Sequence, residues 1–249
     1  MAGPIDQFII KPIGEKIEII GYDVSFTNSS LWMVIGTVVA ILFLTVSMRK
    51  ASVVPGRLQI LAEMLYEFVS KMVNENIGTK GRPYFPFIFT LFMFVLMGNI
   101  MGLLPFSFTT TSHLIVTGLL ALLIFAMCIV FGVYNHGLKF FSLFLPAGVP
   151  WWLVPFIIPL ELISFVIRPV THSIRLFANM MAGHMILKIV IGFSITAASA
   201  GGAWFILGIF PALFNVVMLM FELLVAGIQA YVFAILACVY LKDSVDLHH

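Results

Sequence analysis

From Val149 to Phe193 the chain reads VPWWLVPFIIPLELISFVIRPVTHSIRLFANMMAGHMILKIVIGF, an apolar run longer than one membrane crossing requires. A second run, Trp204 to Leu241, follows after a small-residue break at Ser199 to Ala203. Wholly helical, the two would be about 67 and 57 Å long, roughly twice a ~30 Å hydrocarbon core. Pro150, Pro155 and Pro159 spoil helix at the start of the first run, which places span four at 159–193 and span five at 204–241. Even a tilt of about 40° leaves excess length, so the pair is expected to form a long, tilted or bent hairpin.

Working outward, Leu31 to Met48 is nearly unbroken apolar sequence stopped by Arg49 and Lys50, which makes 31–48 span one. Span two is 84–105, interrupted only by Asn99, and span three is 114–133. The link from Phe106 to His113 carries no Lys, Arg, Asp or Glu. Between spans one and two the pattern changes. Over 57–76, Leu58, Leu61, Leu65, Phe68 and Met72 recur at helical spacing, while Glu63, Glu67, Lys71 and Glu75 form a charged stripe. This is expected to be an amphipathic helix lying along the membrane surface, with a solvated connecting helix as the alternative. The expected fold is therefore an all-α integral membrane protein, a single membrane domain over 1–249 with five transmembrane helices and one surface helix.

The composition agrees: 61% hydrophobic and 10% charged residues in 249, with a mean hydropathy of +1.12. It excludes disordered chains, disulfide scaffolds and nucleic-acid binders, since a net charge of +2 leaves no basic face. Cys128 and Cys238 both lie in apolar runs, where a thiol behaves as a small hydrophobe. The first 30 residues mix acids and bases without an apolar core, unlike a secretory signal or a transit peptide. Of 13 Lys and Arg, eight (Arg49, Lys50, Arg57, Lys71, Lys80, Arg82, Lys139, Lys242) fall on one side, and Lys11 and Lys16 on the other. The positive-inside rule then puts the amino terminus outside and the carboxyl terminus in the cytoplasm, as five spans require.

The remaining three cations, Arg168, Arg175 and Lys188, lie inside the spans, where charges are costly enough to mark function. At 100° per residue, Glu161, Arg168, His172, Arg175 and Asn179 fall within roughly 60° and make one polar stripe on span four. His184 and Lys188 sit on the other face. Asn215, Glu222 and Gln229, seven apart, make a stripe on span five. If the hairpin folds at Gly202, residues whose numbers sum to about 404 meet, which matches Arg175 with Gln229 and His184 with Glu222. A polar line would then run about 21 Å from Glu161, near the cytoplasmic side, to Arg175 at mid-membrane, with His184 and Glu222 roughly 13 Å further out. His and carboxylate groups can be tuned to carry protons near neutral pH, whereas Arg stays protonated. An Arg between two titratable clusters is thus a poor relay and a good barrier, splitting one route into two half-channels.

These residues resemble a known family. Pro159 to Lys188, and above all Arg175-Leu176-Phe177-Ala178-Asn179-Met180 followed by Ala182-Gly183-His184, is similar to the signature of subunit a of the F-type rotary ATP synthase membrane sector. Asn99 to Pro105, the Glu222 to Gln229 stripe and Pro4-Ile5-Asp6-Gln7-Phe8 extend the likeness over most of the chain, closest to the alphaproteobacterial and mitochondrial branch. The resemblance implies a proton-translocating stator subunit, not itself an enzyme. It would work against a ring of c-subunits and beside peripheral-stalk b subunits and membrane lipid, without cofactor, metal, nucleotide or nucleic acid. It further implies that Arg175 faces the rotor carboxylate. Protons would enter through His184 and Glu222 and leave by a path including Glu161, and Gln229, Asn179 and His172 would line the route. A bacterial inner membrane is the expected location, with a mitochondrial one as the alternative.

Other readings of single residues stand beside this one. Arg175 and Lys188 could snorkel to an interface, and Arg168, which is not part of the family's pattern, could serve pathway or structure. His184, Asn99, Asn179, Asn215 and Gln229 could be interhelical hydrogen-bonders. A secondary transporter would show an internal repeat, and none is visible. His172 and His184 are about 18 Å apart by helical rise, too far to clamp one haem or metal.

Overall fold

The hydroxyl of Thr27 accepts a hydrogen bond from the backbone N–H of Ser30 at 3.3 Å, which satisfies one of the free donors at a helix start. From this cap the computed structural model runs through six α-helices: α1 (Asn28–Met48), α2 (Arg57–Asn76), α3 (Phe85–Gly102), α4 (Leu114–His136), α5 (Val154–Ala200) and α6 (Ala203–Val245). A two-stranded antiparallel ribbon, β1 (Glu18–Ile19) and β2 (Tyr22–Asp23), precedes them. The structure describes residues 8–13, 18–19, 22–23, 25–49, 51–104, 107–137, 139–140, 150–200 and 203–245. Pro105, Gly202 and the Pro4 to Gln7 motif lie outside them.

Five segments are long and apolar enough to cross a membrane: Asn28–Met48, Thr79–Gly102, Leu114–His136, Val154–Ser199 and Gly208–Lys242. The chain is thus a nearly all-helical, multi-pass membrane protein, the expected fold class. At 47 and 43 residues, α5 and α6 are about 70 and 65 Å long, twice the hydrocarbon thickness. The expected start of the fourth span at Pro159 is too late, because the helix begins at Val154. Pro155 falls in the first turn, where an amide hydrogen has no intrahelical acceptor, so its absence costs nothing there. Pro159, Pro169 and Pro211 lie within helix, as membrane helices allow.

The chain divides into two units. The first comprises Met1–Ile41, Phe94–His113 and Leu176–Ala230. In it, Asn28 ties the start of α1 to the preceding strand-like stretch, its amide donating to the Ile9 carbonyl at 3.2 Å and its carbonyl oxygen accepting from the Lys11 N–H at 3.1 Å. Leu176, Met180, Ala226 and Ala230 are buried where α5 and α6 belong to this unit.

The second unit comprises Leu42–Met93, Leu114–Arg175 and Tyr231–His249. Here α2 packs on α3 through Tyr66 against Phe85 (ring centroids 4.8 Å) and on α6 through Phe68 against Tyr231 (5.4 Å). The thiol of Cys128 on α4 lies 3.1 Å from the Tyr240 carbonyl and 2.7 Å from the Ser244 hydroxyl on α6. The helix α2 spans the expected residues: Gln59, Ala62, Val69, Met72 and Val73 point inward, whereas Leu58, Leu61 and Phe68 are exposed in large part. Gly78, with φ +77°, ends α2, a backbone conformation glycine adopts without strain.

Candidate functional site

Glu222 on α6 is only 5% exposed, and among the described residues neither of its carboxylate oxygens accepts a hydrogen bond. Facing it from α5, Nδ1 of His184 is 3.4 Å from Oε1. The fit depends on Gly183, since a Cβ built there would come within 2.6 Å of Oε1. On the far side of the imidazole, Nε2 is 2.8 Å from Oγ1 of Thr109, a residue of the polar stretch that follows α3. An ionised carboxylate without donors in such a place is expensive, so the pair is a natural seat for an exchangeable proton.

Two cavities flank this pair within the first unit. One, of about 670 Å³, is bounded by Asn28, Trp32, Thr109, His184, Lys188 and Asn215. The other, of about 380 Å³, is bounded by Asn179, Gly183, Glu222 and Gln229 among apolar side chains. His184 borders the first and Glu222 the second, so the pair lies between the two spaces.

The same unit holds three further links. Asn179 donates to Oε1 of Gln229 at 2.9 Å, Ser194 to the Gly208 carbonyl at 2.7 Å, and Asn99 to the Ala226 carbonyl at 3.3 Å, one turn beyond Glu222. Together with His184 and Glu222, the α5–α6 pairs fall within about four of the sum of 404 inferred from the sequence. The partner of Gln229 is Asn179, one turn along α5 from the Arg175 with which the sequence matched it. The Oδ1 of Asn215 is buried with no hydrogen-bond partner among the described residues.

In the second unit, Arg175 is exposed, and among the described residues it forms no ion pair. Arg168 lies 3.9 Å from Glu161, both about one-third exposed. His172 is 2% exposed, with its ring stacked 3.8 Å from that of Phe233 and edge-on to Tyr240. Among the described residues its Nε2 has no hydrogen-bond partner. The hydroxyls of Ser173 and Thr117, 3.1 Å apart, join α5 to α4. His113, outside the spans, stacks on Phe108, and burial lowers its pKa, so it is neutral at pH 7.

Reasoning from the sequence missed Thr109. The signal was present in Ser107 to Ser112, a hydroxyl-rich stretch without charges between two apolar spans. Nothing in its spacing pointed to His184, 75 residues away. Among the described residues no three His, Cys, Asp or Glu side chains gather into a metal site.

A multi-pass helical protein that buries an imidazole–carboxylate pair between two cavities, with further charges inside its spans, belongs to the class of ion-translocating membrane subunits. Residues 30–242 match the family described as ATP synthase A chain. Proteins named ATP synthase subunit a are similar along their whole length: 47% identical in Pelagibacter ubique over 99% of this chain and 98% of the relative, and 49% in Mesorhizobium japonicum over 99% and 97%. In Rhodospirillum rubrum the identity is 45% over the full length of both. The chain belongs to the ATP synthase A chain family and is a membrane-sector component serving proton transport in ATP synthesis.

Proposed function

We propose that this chain is the stator of a rotary proton path, with an inlet and an outlet half-channel kept apart by Arg175. The carrying observation is the His184–Glu222 contact between two cavities of one unit. The inlet follows the larger cavity to His184, crosses to Glu222 and continues along Asn179 and Gln229. Arg175, exposed in an apolar helix without an ion pair among the described residues, requires a countercharge from another chain. The carboxylate of a c-subunit, passing as the ring turns, supplies it. An unpaired guanidinium at mid-bilayer costs at least about 2.5 kcal/mol, so each deprotonated rotor site is drawn to it. No proton crosses the permanently charged Arg175.

The outlet runs by Glu161, with Arg168 beside it as its countercharge. His172, clasped by aromatic rings, stands outside the route as a packing residue. The chain carries out no catalysis of its own and binds no nucleotide. Its partners are the c-ring, the peripheral-stalk b subunits, lipid and the rest of the complex. It lies in a bacterial inner membrane with its amino terminus periplasmic and its carboxyl terminus cytoplasmic, as the Lys and Arg distribution favours.

The test is Arg175→Ala in the whole complex in vesicles, reading ATP-driven proton pumping and then passive proton flux after the catalytic head is stripped. Lost pumping with passive flux kept or raised is the expected result. Normal pumping would remove Arg175 as the barrier.

A further inference from the structure

The oxygen of Thr109 has two partners. It lies 2.8 Å from Nε2 of His184 and 3.4 Å from the carbonyl oxygen of Gly102, and the threonine is only 7% exposed. The close approach to Gly102 exists because that residue is glycine, since a Cβ there would come within 2.8 Å of Cγ2 of Thr109. A hydroxyl both donates and accepts, whereas neutral imidazole has one nitrogen of each kind. When His184 carries its hydrogen on Nδ1, that hydrogen lies on the side of the ionised Glu222, whose Oε1 is 3.4 Å away, and Thr109 donates to Nε2. When the hydrogen is on Nε2, Thr109 accepts it and turns its own hydrogen to the Gly102 carbonyl. Nδ1 is then free to accept from a protonated Glu222.

Resting on the inlet proposed above, we infer that Thr109 is a positioning residue that keeps His184 aimed at Glu222 in both neutral tautomers. Uptake of one proton at Nε2, with the Nδ1 hydrogen passing to Oε1 of Glu222, converts the first arrangement into the second. One proton enters, histidine is neutral before and after, and the charge change falls on Glu222 alone. The ring does not rotate, and Nε2 keeps its partner in both arrangements. Without the hydroxyl, the buried Nε2 has no partner in either tautomer, and a lost buried hydrogen bond amounts to roughly a tenfold change in the population of the competent arrangement. Among the described residues, the charged groups around His184 are Glu222 from α6 and Lys188 from its own helix. Residues 107–112 bring five hydroxyls and Phe108, and no charge.

Thr109→Val removes the hydroxyl and keeps the shape, and Thr109→Ser keeps the hydroxyl. In the whole complex reconstituted in vesicles, with ATP hydrolysis confirming assembly, the valine variant is expected to lose roughly tenfold in passive proton conduction. Its pH profile should also be displaced, and the serine variant should conduct within about twofold of the parent. Parent-like conduction and pH profile in Thr109→Val would overturn the inference, and so would equal losses in both variants, which would mean packing alone. Should the valine variant not assemble, ¹⁵N spectra of histidine-labelled parent complex, with His184 assigned by His184→Gln, decide it. Both neutral tautomers are expected between about pH 6 and pH 8, and a single one throughout would overturn it. Normal pumping by Glu222→Gln would instead sink the inlet itself, a separate result.

Discussion

At Gly183 a single methyl group has nowhere to go. The built Cβ meets Oε1 of Glu222 at 2.6 Å and its Cδ at 2.9 Å, so Gly183→Ala must push the carboxyl group away from His184. Carboxyl rotation is feasible, so the complex should assemble, but ATP-driven pumping should drop at least tenfold, since proton transfer needs the donor and acceptor within hydrogen-bond reach. Pumping at the parent rate would show that the 3.4 Å contact is incidental. Glu222→Gln makes the complementary prediction. It preserves size and polarity but cannot take up a proton, so pumping is lost while the assembled complex still hydrolyses ATP. If instead the glutamine variant failed to assemble, Glu222 would be serving structure. At this scale the sequence was informative about ionisable groups, and the hairpin register even matched His184 with Glu222, but it was blind to the hydroxyl on the far side of the imidazole. Charges inside apolar runs are rare enough to stand out, which is why His184, Glu222 and Arg175 could be named. Thr109 could not, because hydroxyls are common and its contact spans 75 residues.

At the level of elements, length and periodicity made five crossings and one amphipathic helix legible, because burying backbone in lipid leaves helices few alternatives. One boundary was not. Proline content misplaced the start of α5, since a proline in a first turn is harmless and one further along is tolerated in a membrane helix. The turn after α2 offers a test of how tightly that helix is anchored. Gly81 is buried, and a Cβ there would lie 2.9 Å from the Cβ of Ile77 and 3.0 Å from Cγ1 of Val73. Gly81→Ala should therefore cost about 1–3 kcal/mol through overpacking. It should appear as a lower midpoint for thermal loss of α2 protection in hydrogen exchange, with Gly56→Ala, where a Cβ meets nothing within 4 Å, as the control.

For the whole molecule, the proposed orientation rests on counting, since ten of the 13 Lys and Arg lie outside the long apolar runs and eight of those ten are assigned to one side. Insertion reads Lys and Arg in short loops near span ends, which describes Arg49, Lys50, Arg57, Lys80, Arg82 and Lys139. Lys11 and Lys139 lie on opposite sides of that count, and both are exposed. Cys128 and Cys238 are buried, so replacing both with alanine removes the native thiols before single cysteines are introduced. In that background, Lys11→Cys should react with a membrane-impermeant maleimide in right-side-out vesicles and resist it in inverted ones, and Lys139→Cys should do the reverse. The reversed pattern would put the larger cavity on the cytoplasmic side, because that cavity includes Asn28 and Trp32 at the start of α1, just after Lys11. The inlet and outlet would then exchange roles, although the chemistry of His184, Glu222 and Arg175 would stay as described. Labelling of both cysteines from one side would contradict an odd number of crossings between them, and with it the placement of α1, α3 and α4 as three successive spans.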